Sequence, residues 1–155
     1  MKILVYVSLF LSSLLITAQS NFTEADARGV IDTFFEGFHE GDTLKMRSVM
    51  VKNLPTQTVF TNKEGKHMVH DSNGEDFIKA IGNRPPEQKW DERLLDYKVQ
   101  IDGNLAHVWT PYEFWLNGSF SHCGANAFTL AKTDDGWKIV HLIDSRRRSS
   151  CKTDE

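Results

Sequence analysis

Three side chains in the C-terminal half could move a proton: Glu113, His122 and Asp144. A carboxylate beside an imidazole is an acid-base pair, able to take a proton from a reacting group and return it. Trp109, Tyr112, Asn126 and Phe128 lie among them, and Phe34 and Phe38 stand far upstream. An apolar bowl with a few convergent polar groups is the ordinary form of a small-molecule site. The same titratable residues also fit a solvated network at a sheet rim, and Phe34 and Phe38 also fit a packed core. The chemistry therefore depends on which faces carry these residues.

Residues 91–148 predict four antiparallel strands: Arg93 to Ile101, Leu105 to Leu116, Ser119 to Lys132 and Trp137 to Arg146. Asp102-Gly103-Asn104, Asn117-Gly118 and Thr133 to Gly136 are the turns, and Asn-Gly is among the strongest hairpin signals. Counting Asn117-Gly118 as a two-residue turn pairs Trp115 with Phe120 and Glu113 with His122. Pro111 then faces Gly124, Trp109 faces Asn126, and His107 faces Phe128. A three-residue loop over Asp134 to Gly136 adds Val140, Leu142 and Asp144 to that face. Val108, Tyr112, Phe114, Cys123, Ala125 and Ile143 fall on the other. A one-residue slip would re-sort both sets. Pro111 lacks a backbone donor, so it predicts a bulge or an unpaired stretch in mid-strand.

Upstream, Asn21 to Gly41 reads as a helix capped by Thr23, with Val30, Ile31, Phe34, Phe35 and Phe38 on one side. Asp42 is placed to cap a second, short helix. Thr58 to Thr61 and Lys66 to His70 read as an irregular hairpin. Ser72-Asn73-Gly74-Glu75 has the form of a capping box opening a third helix, which Gly82 to Pro86 ends.

Met1 to Ser20 has the charged start, apolar middle and small-residue exit of a secretory signal peptide, which predicts a secreted or periplasmic protein. The division is then 1–20 leader, 21–148 one domain and 149–155 tail. The chain carries 18 Lys and Arg against 21 Asp and Glu, and loss of Lys2 with the leader leaves it weakly acidic. Such a balance argues against nucleic-acid binding, and no membrane contact is expected once the leader is gone. Arg146-Arg147-Arg148 reads as a solvated strand end, with an anionic partner as the functional alternative. Metal-binding, phosphate-loop, dinucleotide and serine-elbow motifs are absent, so no cofactor is expected. Cys123 and Cys151 are the only cysteines. Strand pairing puts Cys123 opposite about Arg147, which makes a bridge to Cys151 feasible but leaves two free thiols open.

The order helix, short helix, hairpin, short helix and curved meander resembles the nuclear transport factor 2-like (NTF2-like) superfamily. The likeness is closest to its SnoaL-like and putative lumazine-binding branches. It is carried by Phe34 to Asp42, by Asn104 to Phe114 and by Asp135 to His141, and spans about 23–147. The resemblance implies a cone-shaped α+β fold, a strongly curved antiparallel sheet packed against an N-terminal helical layer. It also implies a pocket between the two, frequent homodimerisation through the sheet, and functions from isomerase to plain binding.

The leading expectation is an exported protein that binds a small apolar or aromatic molecule and forms a homodimer. An isomerase or dehydratase is the first alternative, with Glu113 or Asp144 as base, His122 as proton donor, and Trp109 and Tyr112 as walls. A protein-interaction module using the sheet face is the second.

Overall fold

A computed structural model describes residues 21–151 of the chain. The expected leader and the last residues of the tail lie outside the described residues.

Helix α1 spans Glu24–Glu40, and a full capping box between Thr23 and Asp26 starts it. Gly41 ends it in the left-handed region at φ 76, a conformation that costs glycine least. Asp42 accepts from Leu44 and Lys45 to cap α2, Thr43–Ser48. Strands β1 (Pro55–Thr61) and β2 (His67–Asn73) form a hairpin that leads into α3, Gly74–Gly82. The α3 cap is Asn73, one residue later than the spacing from Ser72 suggests, because Asn73 accepts from Asp76 N.

Then come β3 (Trp90–Leu94), β4 (Lys98–Asp102), β5 (Leu105–Leu116), β6 (Ser119–Thr133) and β7 (Gly136–Arg147). The sheet order is β2-β1-β7-β6-β5-β3, with β4 also on β5. Since β1 runs parallel to β7, the sheet is mixed rather than wholly antiparallel. The single strand expected over 93–101 is two, both paired with β5. Pro111 supplies the reason. Its carbonyl accepts from Leu95 N, so its donorless nitrogen faces the same side, opposite the 95–97 break.

Register continues through Pro111, which faces Ala125, and the bulge lies elsewhere. Trp115 pairs with Phe120 as counted, but Phe114 pairs with His122, so Ser121 is the extra residue. A second shift pairs Thr129 with His141 and Leu130 with Ile139, leaving Val140 extra on β7. Each bulge bends its strand and deepens the curvature of the sheet. The first also turns the remainder of β5 over relative to the expected pairing. Glu113 faces Cys123 instead of His122, and Trp109 faces Ala127 instead of Asn126.

The concave face that results carries Ala106, Val108, Tyr112 and Phe114 from β5, and Phe128 and Leu130 from β6. Helix α1 lays Ile31, Phe34, Phe35 and Phe38 against it, and these side chains are buried. Phe34 and Phe35 both meet Phe128 edge-on, at 5.7 and 6.0 Å between ring centroids. A disulfide joins Cys123 to Cys151, closing the tail onto the sheet.

Candidate functional site

The concave face is not wholly filled. Between α1, α3 and the sheet lies a cavity of ≈ 340 Å³. Phe34, Phe35, Phe38 and Phe77 form its helical wall, while Trp90, Phe114, Leu116 and Leu142 continue the apolar lining on β3, β5 and β7. Phe77 stacks against both Phe34 and Phe38, at 6.0 Å in each case.

One end of the cavity is polar. Glu92, His122, Asn126, Asp144 and Arg146 converge there, and strand parity explains how. Asn126 pairs with Asp144, Phe114 pairs with both His122 and Glu92, and Arg146 follows Asp144 by two residues, on the same face. Asn126 Nδ2 donates to Glu92 Oε1 at 2.7 Å. Asp144 accepts from Thr58 Oγ1 at 2.6 Å and from Tyr112 Oη at 3.1 Å, and Arg146 lies 3.4 Å away. Tyr112 reaches Asp144 across Gly124. A Cβ there would sit 2.8 Å from Tyr112 Cε1 and 1.8 Å from Ser145 O, so only glycine allows the ring to pass.

Burial sets the protonation of this cluster. Removal from water pushes Glu92 up to about 7, against the hydrogen bond from Asn126 that favours its charged form. Its carboxyl is therefore near half protonation at neutral pH, the state best suited to exchanging a proton. Burial, and after it the charge of Arg146, hold His122 down to about 4. The imidazole is neutral at pH 7, so it can donate a hydrogen bond but is not a charged acid. It stacks on Phe114 at 4.8 Å, with Nδ1 3.1 Å from Ser121 Oγ. Burial, then the negative charge of Asp144, raise Tyr112 far above its ordinary range, so it remains a phenol and a donor.

Of the residues singled out in the sequence, His122, Asp144, Asn126, Phe34 and Phe38 line the cavity. Tyr112 stands behind Asp144, and Phe128 is fully buried in the core against Phe34. Glu113 and Trp109 are on the convex face, and Glu113 accepts there from Trp115 Nε1 at 3.2 Å. The Glu113–His122 pair is thus not assembled, since Ser121 shifts the register between them. Glu92 and Arg146 line the cavity without belonging to the predicted catalytic or ligand-binding set. Arg146 carries a legible signal in its i+2 spacing from Asp144, whereas Glu92 has none, because its place depends on pairing with Phe114, 22 residues away.

The family described as "Putative lumazine-binding" matches residues 23–142, most of the chain. The chain belongs to this family. A search of curated proteins finds no match. Among solved structures, the chain is similar to an NTF2-like protein of unknown function from Shewanella baltica. That pair shares 18% identity over 83% of this chain and 100% of the other, with a TM-score of 0.54. An NTF2-like superfamily protein from Salmonella enterica matches at 16% identity over 84% and 95%, with a TM-score of 0.61. A structure titled a putative dehydratase of the NTF2-like family, from Streptomyces avermitilis, matches at 16% over 78% and 93%, with a TM-score of 0.59. At such identities the likeness establishes the NTF2-like fold, the α+β cone expected from the sequence.

Proposed function

We propose that this member of the lumazine-binding family is a small-molecule-binding domain. It takes a flat, apolar or aromatic molecule between the phenylalanines of α1 and the sheet, with the polar edge of that molecule against Glu92, Asn126 and Asp144. The observation that carries this reading is the cavity itself, aromatic on its walls and hydrogen-bonding at one end. Native mass spectrometry of protein recovered gently from its host tests it. A retained small molecule, lost in Phe38→Arg, is the expected result. Protein that is empty and also fails to take up aromatic probes would overturn it.

Proton-transfer catalysis of the isomerase or dehydratase type is a second reading, favoured by a carboxyl held at about 7 beside an apolar cavity. Glu92 takes in it the role of base that the pairing denies to Glu113, with Asp144 as the other carboxylate and His122 as a neutral donor. The dehydratase title of the Streptomyces neighbour is consistent with it. Loss of turnover in Glu92→Gln with retained ligand uptake would separate this reading from plain binding.

Export to the periplasm or beyond is supported by the leader pattern of 1–20 and by the Cys123–Cys151 bridge, which suits an oxidising compartment. A homodimer through the convex face is supported by Trp109 and Phe120, which are 40% and 37% exposed there.

A further inference from the structure

Two further hollows adjoin the aromatic cavity at Arg146. A second hollow of ≈ 290 Å³ shares Phe77, Leu142, Asp144 and Arg146 with it. A third, of ≈ 480 Å³, shares Thr58, His70 and Arg146 with the second. The three adjoin in a row over β7 and its hydrogen-bonded neighbour β1, with Arg146 lining every one.

The chemistry changes along this path. The inner part is aromatic and holds Glu92 and Asp144. The outer part is lined by Thr58, Thr61, His70, Arg146, Arg147 and Arg148, together with Phe60, and no carboxylate lines it. Among the described residues Arg147 and Arg148 form no salt bridge, and all three arginines are exposed. Three guanidinium groups in a chain of net charge -3 are a local reversal of sign. The segment is also held in place: Cys151 is bonded to Cys123, which pairs with Arg147, and Arg147 Nε donates to Ser150 O at 3.2 Å.

We infer that the site is bipartite and that its ligand carries a terminal anionic oxygen group, a carboxylate or phosphate, on a chain leading from its apolar body. The body occupies the cavity and the chain runs along the adjoining hollows toward the end of β7. The anion is held by Arg147 and Arg148. Arginine forks bind such groups through charge-assisted hydrogen bonds, stronger than neutral ones. This inference rests on the binding reading above and names the class of ligand within it.

The test compares dansylaminoundecanoic acid with its methyl ester, which share an aromatic body and a chain but differ in terminal charge. Fluorescence titration of the mature protein at low salt is expected to show the acid binding about tenfold or more tightly. That preference falls as salt is raised. It disappears in the surface variant Arg147→Gln/Arg148→Gln, while the ester binds that variant as it binds the parent. Displacement by lauryl phosphate and by laurate reports which anion is favoured, and equal displacement by dodecanol would count against any anion subsite. If acid and ester bind the parent equally well, the bipartite inference is wrong and the cavity reading stands. Should neither bind, both fail.

Discussion

Asn126 Nδ2 donates to Glu92 Oε1 across 2.7 Å, joining the central strand β6 to the edge strand β3 over the polar end of the cavity. The bond favours the charged carboxylate, while burial favours the neutral acid. Asn126→Leu removes only the first influence. The Glu92 titration is therefore expected to move above about 7, by roughly 1–2 units, since a hydrogen bond to a charged group is worth about 1.5–3 kcal/mol. Carboxyl-carbon NMR of the variant checks this, and an unchanged or lower midpoint would contradict it.

Glu92 and His122 push the pH dependence of stability in opposite directions. Glu92 rises from an ordinary 4.5 to about 7, so the folded state binds the extra proton between these values and the contribution is lost as pH rises. His122 falls from 6.5 to about 4, so the unfolded state binds the extra proton and the contribution is lost as pH falls. Each slope is at most about 1.4 kcal/mol per pH unit, and between pH 4.5 and 6.5 they cancel. Glu92→Gln should gain stability relative to the parent as pH is raised through this window, and His122→Gln should lose it. Urea melts at several pH values read the two differences directly.

Tyr112 and Gly124 should prove jointly sensitive. Tyr112→Phe leaves Asp144 with Thr58 and Arg146 but without its phenol, an expected loss of about 1–3 kcal/mol in urea unfolding. Gly124→Ala should cost more, because the new methyl meets the Ser145 carbonyl on the neighbouring strand as well as the Tyr112 ring. A Gly124→Ala protein as stable as the parent would rule out the close passage.

Reduction of Cys123–Cys151 opens a loop of sequence separation 28, for which chain entropy predicts a loss of roughly 3–4 kcal/mol. The Arg147–Arg148 segment loses its tether in the same event. Thermal melts with and without reductant should therefore differ, and the preference for the dansyl acid over its ester should fall on reduction.

On the convex face, Glu113→Gln and Trp109→Lys should leave probe uptake by the cavity unchanged, since neither residue lines it. Trp109→Lys should shift sedimentation toward monomer if that face carries the dimer contact. Loss of probe uptake in either variant would place the site on the wrong side of the sheet.

The turn chemistry of this protein is written locally. Asn117 and Gly118 both adopt positive φ, 51 and 77, as a two-residue hairpin turn requires, and they set the ends of β5 and β6 where the sequence puts them. Thr23, Gly41 and Asp42 act as caps for the same reason: a cap uses only neighbours within a few residues. The gathering of His122 and Asn126 on one face follows from alternation along β6, and Asp144 joins them because the extra residue Val140 gives the pairing that a three-residue loop over Asp134 to Gly136 predicts, although the turn itself is one residue shorter. What a sequence count misses are the extra residues, Val140 on β7 and, with the larger consequence for the site, Ser121 on β6. Side-chain direction alternates with period two, so one unpaired residue carries Glu113 from the cavity to the convex face and Phe114 the other way. Glu92 lies further still from local inference. It reaches Asn126 only because β3 and β6 both pair with β5, and its raised pKa comes from burial that no segment of chain possesses until the helices and the sheet have packed together.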